Sequence, residues 1–286
     1  MKNLNILFAV LLTLVIISCS KNDPIPKEPE VNAGCLDSQA VNYNEQAKKD
    51  DGSCRYVQEK SKSLLLSFTA IFNPENAQWA TPAIRDLYLN NKEHVVPVSV
   101  YSMLEDSFYN ETANYLRTNL KISRYPTLAE GKSQITFSST QYDNFLNQVQ
   151  SLIDSRVAKS PVANVDFTHS ISDGVLKIRS VTEFFEKGSG RYNLAIYVME
   201  DKKKYYQYTG NGNYTNEFEH RFVLRGTASG HHSGDLLAED PAAGTLVISE
   251  ASLELPSDWN EDNLHIAAVI WKFQSNNSTY INSTYH

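Results

Sequence analysis

Cysteine is scarce in this sequence, with three residues among 286. No two of them are separated by two residues, so the thiol pair of a disulfide oxidoreductase is absent. No basic run is longer than Lys202–Lys204, which argues against nucleic acid as a partner. Neither a glycine-rich phosphate loop nor a nucleophile elbow around a serine is present. We therefore expect no enzyme activity and no organic cofactor.

Long apolar runs are also missing, except at the amino terminus. Ile6–Ile17 is apolar apart from one threonine, which suits a secretory signal but is too short to span a bilayer. The order Ile16-Ile17-Ser18-Cys19 resembles a bacterial lipobox, in which the thiol accepts a diacylglycerol and a peptidase cuts before it. We predict a lipoprotein signal peptide at 1–18 and lipidation of Cys19. The alternative is an ordinary signal with an incidental cysteine.

Residues 19–33 contain three prolines, mixed charge and few apolar side chains. This composition predicts a flexible tether that holds the folded part away from the lipid. Polar and acidic residues after Cys19 resemble the export signal that some diderm bacteria use for surface lipoproteins, although Lys21 and Asn22 depart from it. We expect a lipid-anchored outer-membrane protein that faces the cell exterior.

Two cysteines remain beyond the lipid site, and an even pair in an exported chain predicts a disulfide between Cys35 and Cys54. The sequence from Gly34 to Cys54, GCLDSQAVNYNEQAKKDDGSC, resembles a short disulfide-closed module found near the anchors of many diderm surface proteins. We place this module at residues 34–56.

The same module contains oxygen-bearing side chains suited to calcium. Asp37, Asn42, Asp50 and Asp51 would supply the hard ligands that this ion prefers, and Gly52 permits a tight turn. Their order differs from that of an EF-hand loop. The alternative is a small stapled spacer in which these side chains cap turns.

The first half of the mature chain alternates between apolar runs and helical periodicity. We predict the order strand–helix–strand–helix–strand–strand–helix here. The strands are Ser63–Ile71, His94–Met103, a short one after Tyr125-Pro126, and Gln134–Phe137; the helices are Glu75–Asn91, Ser107–Leu120 and Thr140–Ala158.

This order of elements resembles that of a thioredoxin fold. Tyr125-Pro126-Thr127 falls where that fold keeps a cis-proline, beside a groove that binds extended chains in related folds. The resemblance implies a thioredoxin-like α/β domain at residues 59–160, with a peptide contact at Tyr125, Pro126 and Thr127. If Pro82-Ala83 follows the second thiol position, Gln78 and Thr81 replace the two thiols, so redox chemistry is not expected.

Helical periodicity disappears in residues 161–286. Turn signals such as Ser172-Asp173-Gly174 and Gly210-Asn211-Gly212 separate the apolar runs, which favours an antiparallel β-sandwich. The expected fold class is therefore α+β multidomain, a thioredoxin-like α/β domain followed by a sandwich. The strand candidates are Val165–Ile171, Gly174–Phe184, Tyr192–Glu200, Glu217–Ala228, Gly244–Leu255 and Leu264–Gln274.

Taken together, these parts resemble the twenty-eight-kilodalton outer-membrane lipoprotein family. The likeness rests on the order of parts and on five short stretches: SFTA at 67–70, Pro82-Ala83, RYPTL at 124–128, YNLAIYVMED at 192–201 and EHRFVLRG at 219–226. The resemblance implies an envelope location and a role in binding rather than catalysis.

Two further clusters are candidate sites. Tyr205, Tyr206, Tyr208 and Tyr214 flank glycine turns on a predicted loop, where aromatic rings stack on sugars or anchor a protein partner. Local packing at a sandwich edge is the alternative. His220, His231, His232 and Asp235 suggest a metal site, but adjacent histidines in an extended chain point to opposite faces, and a solvated loop is the simpler interpretation.

The function expected from these features is a non-catalytic binding subunit of the outer membrane. An accessory role beside a SusC/SusD-type importer of peptides or glycans is the specific hypothesis. The alternatives are a remodelled thioredoxin-fold oxidoreductase or other envelope enzyme, and a structural surface-coat protein.

Overall fold

The computed structural model describes residues 32–137, 141–274 and 277–286. Cys19, the signal peptide and nearly all of the tether lie outside the described residues. Up to residue 160 the elements are β1 (Ser63–Thr69), α1 (Thr81–Asn90), β2 (Val95–Tyr101), α2 (Glu111–Asn119), β3 (Thr127–Glu130), β4 (Ser133–Thr136) and α3 (Tyr142–Val157).

Strands dominate the second half of the described chain. They are β5 (Ala163–Ser172), β6 (Val175–Phe184), β7 (Arg191–Glu200), β8 (Lys203–Gly210), β9 (Asn213–His220), β10 (Val223–Thr227), β11 (Asp235–Glu239), β12 (Leu246–Glu254), β13 (Leu264–Gln274) and β14 (Asn277–Tyr285).

Three sheets organise these strands. The largest has nine strands in the order β14-β13-β7-β10-β2-β1-β3-β4, with β11 paired to β7. A second sheet, β12-β6-β5, packs its apolar face on β7 and β13. The hairpin β8–β9 forms the third sheet.

The predicted fold class, a thioredoxin-like α/β domain followed by a separate sandwich, is wrong. The structure is rich in sheet, with 44% strand and 18% helix. Strand β10, from the second half of the chain, pairs in parallel with β2 from the first half, with Val223 opposite Ser99. Both halves therefore build one sheet, and residues 59–160 do not close a sheet of their own.

The apolar core also extends through both halves of the chain. One cluster joins Val100 of β2 to Met199 of β7, Leu224 of β10 and Trp271 of β13 on one face of the large sheet. On the opposite face, α1 and α3 cover β1, while the small sheet covers β7 and β13. Because apolar burial is the main stabilising term in folding, a core shared by both halves stabilises them together.

Local sequence explains where two hairpins turn. Asp173-Gly174 and Asn211-Gly212 have φ angles of 53°, 71°, 54° and 75°. Two successive left-handed residues make the turn whose twist matches that of the flanking strands, and Asp-Gly and Asn-Gly adopt it readily. These turns connect β5 to β6 and β8 to β9.

Several element bounds differ from the predicted ones. Helix α2 starts at Glu111 because the side chain of Asn110 caps it by accepting from the Ala113 N–H at 2.9 Å. Helix α1 starts at Thr81, after a π-helical turn at Asn76–Ala80. The predicted strand Glu217–Ala228 is split in two, because Phe222 has a φ of 52° and interrupts it.

The disulfide between Cys35 and Cys54 is present, as predicted. The module that it closes packs on the outer face of the small sheet, where Val41 and Val57 contact Val181. The Arg179 guanidinium donates to the carbonyl oxygens of Ser38, Ala40 and Val41 at 2.7, 2.8 and 3.1 Å. The module is therefore docked on the folded body.

In the part of the chain that the structure describes, no helix has both the length and the apolar character needed to cross a membrane.

Candidate functional site at the carboxyl edge of β1 and β2

Two segments meet where β1 and β2 end, and the buried Asp106 holds them together. Its two carboxylate oxygens accept from the backbone N–H groups of Ile71 and Phe108 at 2.8 and 2.9 Å. Ile71 follows β1, and Phe108 lies between β2 and α2. The carboxylate thus fixes the edge of the sheet on which the following groups are arranged.

The hairpin β8–β9 lies over this edge and is anchored by Gln207, which is fully buried. The Gln207 Nε2 donates to the Asn73 carbonyl oxygen at 2.9 Å, and its Oε1 accepts from Asn76 Nδ2. The Tyr208 N–H donates to the Ile71 carbonyl oxygen at 2.8 Å. A polar side chain, Gln207, is therefore buried in β8, so this strand lacks the alternating apolar pattern by which a strand is recognised in a sequence.

Asn73 connects the two sets of residues that the sequence suggested separately for binding. While its carbonyl oxygen holds Gln207, its Nδ2 donates to the Tyr125 carbonyl oxygen at 3.2 Å. The tyrosine hairpin and the Tyr125-Pro126-Thr127 segment are thus held against one loop. Isolated amides such as Asn73, Asn76 and Gln207 have no spacing signature, so sequence reasoning missed them.

The Tyr125-Pro126-Thr127 segment is largely engaged within the protein. The Tyr125–Pro126 peptide bond is cis. The Tyr125 hydroxyl pairs with Ser102 Oγ at 2.9 Å, and the Pro126 carbonyl oxygen accepts from the Phe137 N–H at 3.2 Å. Thr127 is 3% exposed and pairs with Phe68 of β1. A peptide contact here stays a prediction, and it would have to use the side chain of Tyr125 or displace these bonds.

The four tyrosines of the hairpin differ in exposure. Tyr206 packs inward on a cluster that includes Tyr101 and Phe108. The ring of Tyr214 stacks on the ring of Tyr206, with centroids 5.0 Å apart. Tyr208 lies 4.9 Å from Tyr214. The ring centroids of Tyr205 and Phe108 are 5.1 Å apart. The two most exposed rings, Tyr205 and Tyr214, therefore pack on other aromatic side chains.

Four of the ten exposed large apolar side chains in the described residues lie on the segments that form this edge. We call Phe72, Leu104, Tyr205 and Tyr214 the aromatic edge; they are 39%, 76%, 38% and 58% exposed. Phe72 follows β1, Leu104 follows β2, and the tyrosines belong to the hairpin. Large apolar groups exposed on neighbouring segments are typical of a binding surface.

A buried polar network lies beneath the hairpin. His220 Nδ1 accepts from the Tyr101 hydroxyl at 2.9 Å, and its Nε2 donates to the Tyr206 carbonyl oxygen at 3.2 Å. The Thr81 hydroxyl donates to Asn76 Oδ1 at 2.9 Å. The network is satisfied inside the protein, so its groups position the hairpin rather than meet a ligand.

The positions that correspond to thiols in the thioredoxin comparison also hold the hairpin. Thr81 belongs to the buried network, and Gln78 Nε2 donates to the Thr209 carbonyl oxygen at 3.2 Å. These side chains serve packing and hydrogen bonding at the edge.

The histidines considered as a metal cluster are held in different surroundings. His220 is buried in the network, whereas His232 Nδ1 pairs with Thr112 Oγ1 at 2.9 Å. Asp235 accepts from the Gly230 N–H at 2.9 Å. Among residues 32–137, 141–274 and 277–286, no three His, Cys, Asp or Glu side chains are placed to hold a metal ion.

The four candidate calcium ligands each accept a hydrogen bond from a nearby backbone N–H. Asp37 Oδ1 accepts from Gln39, Asn42 Oδ1 from Arg55, Asp50 Oδ1 from Gly52 and Asp51 Oδ1 from Ser53, at 2.9, 2.7, 3.0 and 2.9 Å. Asp37 Oδ2 also accepts from the Tyr56 hydroxyl at 2.7 Å. The three aspartates each accept from the N–H two residues on, which is the pattern of a turn-capping side chain, whereas Asn42 joins two separate parts of the module. Calcium binding here stays a prediction.

Burial shifts two pKa values at the edge in ways that oppose each other. It raises the pKa of Asp106 from 3.8 to about 6, and it lowers the pKa of His220 from 6.5 to about 4. Compared with the unfolded chain, the folded state therefore favours the protonated carboxyl of Asp106 and the neutral imidazole of His220. As pH rises between about 4 and 6, the contribution of Asp106 to stability falls while that of His220 rises.

The Asp106→Asn variant should expose this balance. This variant lacks the contribution of Asp106, which falls as pH rises. Between about pH 4 and pH 6 its free energy of unfolding should therefore rise more steeply than that of the wild type, by about 2 kcal/mol in total. Urea unfolding at several pH values measures the slope, which separates titration from the uniform loss caused by a missing acceptor. Parallel profiles for the two proteins would contradict the assignment, and His220→Gln should change the slope in the opposite direction.

No protein-family model matches the sequence, and no curated protein sequence matches it either. Among solved structures, HBP35 of Porphyromonas gingivalis is similar, with a TM-score of 0.62 and 16% identity over 80% of this chain and 76% of that chain. At this identity the similarity shows a shared fold, and its coverage includes both halves of the chain.

Two further structures score lower. A domain of the outer membrane lipoprotein Omp28 from Porphyromonas gingivalis gives a TM-score of 0.30, at 15% identity over 44% of this chain and 86% of that chain. The E. coli curli protein CsgC gives 0.22, at 10% identity over 43% and 96%. Scores this low carry no structural argument, so the resemblance to the twenty-eight-kilodalton lipoprotein family is not confirmed.

Proposed function

We propose that this protein is a lipid-anchored, non-catalytic binding subunit of a bacterial outer membrane, and that the aromatic edge is its binding surface. One observation carries the proposal. Three separate segments, which follow β1, follow β2 and form the hairpin, present exposed Phe72, Leu104, Tyr205 and Tyr214 from a base fixed by Asp106 and Gln207. Because the base is already ordered, less conformational entropy is lost when a partner binds.

A binding role without chemistry is supported by how the polar groups of the edge are used. Asn76, Thr81 and His220 each have their partners within the protein. Nucleophilic catalysis would need a nucleophile and a base that reach a substrate together, and here these groups instead hold the hairpin.

The partner we propose is an outer-membrane importer of the SusC/SusD type, with a peptide or glycan as its cargo. Exposed tyrosines suit either contact, because a tyrosine ring stacks on a sugar and also anchors protein interfaces. The lipid on Cys19 and the tether would place the body beside such an importer at the cell surface.

Removing the two tyrosines of the aromatic edge should strongly reduce partner capture. Tyr205→Ala combined with Tyr214→Ala should lower recovery of a crosslinked partner from detergent-solubilised outer membrane about 30-fold, because each aromatic anchor contributes about 1 kcal/mol or more. Tyr56→Ala is the matched control, since this tyrosine is 46% exposed but belongs to the disulfide module, away from the aromatic edge. Equal recovery by both variants, or wild-type protein that recovers only itself, would contradict the proposal.

The anchor has its own test. In the Cys19→Ala variant the protein should move from the membrane fraction to the soluble fraction, because acyl chains supply the membrane affinity. Mass spectrometry of the mature terminus should find the lipid in wild-type protein. An unmodified wild-type cysteine, or a variant that stays membrane-bound, would remove the anchor from the proposal while leaving the aromatic edge to its own test.

A further inference from the structure

A cleft of about 680 Å³ lies at the amino end of β1, the end of this strand that is remote from the aromatic edge. Its walls come from the segments that precede β1 and β2, the end of α3, strand β5 and the end of β14. Its volume is within the range of sites that hold small molecules.

The Lys62 backbone in this cleft is held on both sides by β14. Its N–H donates to Asn282 Oδ1 at 2.9 Å, and its carbonyl oxygen accepts from the Tyr280 hydroxyl at 2.6 Å. Asn282 is fully buried and also donates to the Lys60 carbonyl oxygen at 2.9 Å. The Lys62 side chain therefore starts from a fixed backbone.

Lys62 is a half-buried residue. Its ammonium has no counterion in the described part of the chain, where no carboxylate oxygen lies within 4.0 Å of it. Asp166 in the same cleft is engaged by His286 Nε2 at 2.9 Å and by Arg55 at 3.5 Å. Burial lowers the pKa of Lys62, although the charges of Glu93 and Asp166 act in the opposite direction.

The remaining charges of the cleft are at its rim. Lys60 and Lys159 are exposed there, as are Glu59 and Glu93, and His94 stands beside them. Exposed charges are screened by water and salt, whereas the charge of the half-buried Lys62 is screened less. A partly desolvated charge without a partner raises the free energy of the unliganded protein, and an arriving anion would relieve this cost.

We propose that this cleft binds a small organic anion whose carboxylate or phosphate group pairs with the Lys62 ammonium, with Lys60 and Lys159 steering it from the rim. The pairing requires a protonated lysine, so affinity falls as pH rises through the pKa of Lys62. Because burial lowers that pKa, the fall begins at a lower pH than an ordinary exposed lysine would give.

Site-resolved acetylation with a water-soluble succinimidyl ester tests the proposal on the full chain. Inorganic phosphate and succinate, used separately, distinguish the two head groups. At least one should slow acetylation of Lys62 about fivefold or more, in a saturable manner, while exposed Lys92 keeps its rate as an internal control. Unchanged labelling of Lys62 with both anions, or equal slowing at Lys92, would overturn the proposal.

Calorimetric titration of variants with the protecting anion provides the second measurement. Lys62→Met should lose binding at least tenfold, whereas Lys62→Arg should keep most of it because the charge remains. Lys92→Met serves as the matched control for the loss of one positive charge. Binding unchanged in Lys62→Met, with a fold intact by circular dichroism, would place the anion elsewhere.

Discussion

The Gln207→Leu variant is expected to lose about 4 kcal/mol in free energy of unfolding, or to release the hairpin β8–β9 from the body. Leucine fills a similar volume but accepts and donates no hydrogen bonds. The Asn73 and Tyr208 carbonyl oxygens would lose the Gln207 amide as a donor. Asn76 Nδ2 would lose its Gln207 acceptor and keep only the longer contact, 3.4 Å, to the Tyr101 hydroxyl. A buried polar group without a partner costs about 1–3 kcal/mol, and three groups lose a hydrogen bond here, one of them only in part.

Urea unfolding and hydrogen exchange together distinguish these two outcomes. Global destabilisation shifts the unfolding midpoint, whereas local release speeds exchange in β8 and β9 and leaves β7 and β13 protected. Gln78→Leu is the matched control, because this amide also bonds the hairpin, through the Thr209 carbonyl oxygen, but lies exposed to water. It should cost below about 1 kcal/mol. A Gln207→Leu protein with wild-type stability and exchange would show that the hairpin does not depend on this contact.

The sequence predicted most strands and helices but could not predict which strands pair. The apolar run that became β2 is buried at all seven positions from Val95 to Tyr101. Such a run indicates a strand that is buried on both faces, but it does not indicate which strand pairs with it. The pairing of β2 with β10 depends on contacts more than a hundred residues apart, and this pairing is what makes the predicted two-domain fold class wrong.

Strand β14 was missed for a related reason. Its sequence, NSTYINSTY, is mostly polar, yet Asn282 and Ser283 are fully buried. Asn282 can be buried because its side chain forms hydrogen bonds with distant backbone groups. Its Nδ2 donates to the carbonyl oxygens of Lys60 and Ala163, and its Oδ1 accepts from the Lys62 N–H. A rule that places polar residues outside fails wherever distant backbone groups supply the hydrogen bonds.

The candidate site shows the same limit. The clustered tyrosines were predicted as a candidate site, and the even pair of cysteines in an exported chain predicted the disulfide; both features can be read directly from the sequence. The convergence of the hairpin with the segment at Tyr125 depends on Asn73, a single amide in a loop, and no sequence pattern marks it.

Removing the disulfide is the second large perturbation. A chain with both Cys35→Ala and Cys54→Ala should lose about 3 kcal/mol of stability in the module at residues 34–56, because the unfolded segment regains the freedom that a loop of 19 residues denies it. Hydrogen exchange should accelerate at Val41, whose N–H donates to the Arg55 carbonyl oxygen at 2.8 Å, while the large sheet keeps its protection.

Arg179→Met separates closure of the module from its docking. This variant keeps the disulfide but removes three hydrogen bonds to the carbonyl oxygens of Ser38, Ala40 and Val41. It should expose the Val181 surface, measurable as greater binding of a hydrophobic dye, with the closed loop intact by mass spectrometry. If loss of the disulfide leaves exchange at Val41 unchanged, docking on the small sheet alone maintains the module, and the cross-link contributes nothing to its folded stability.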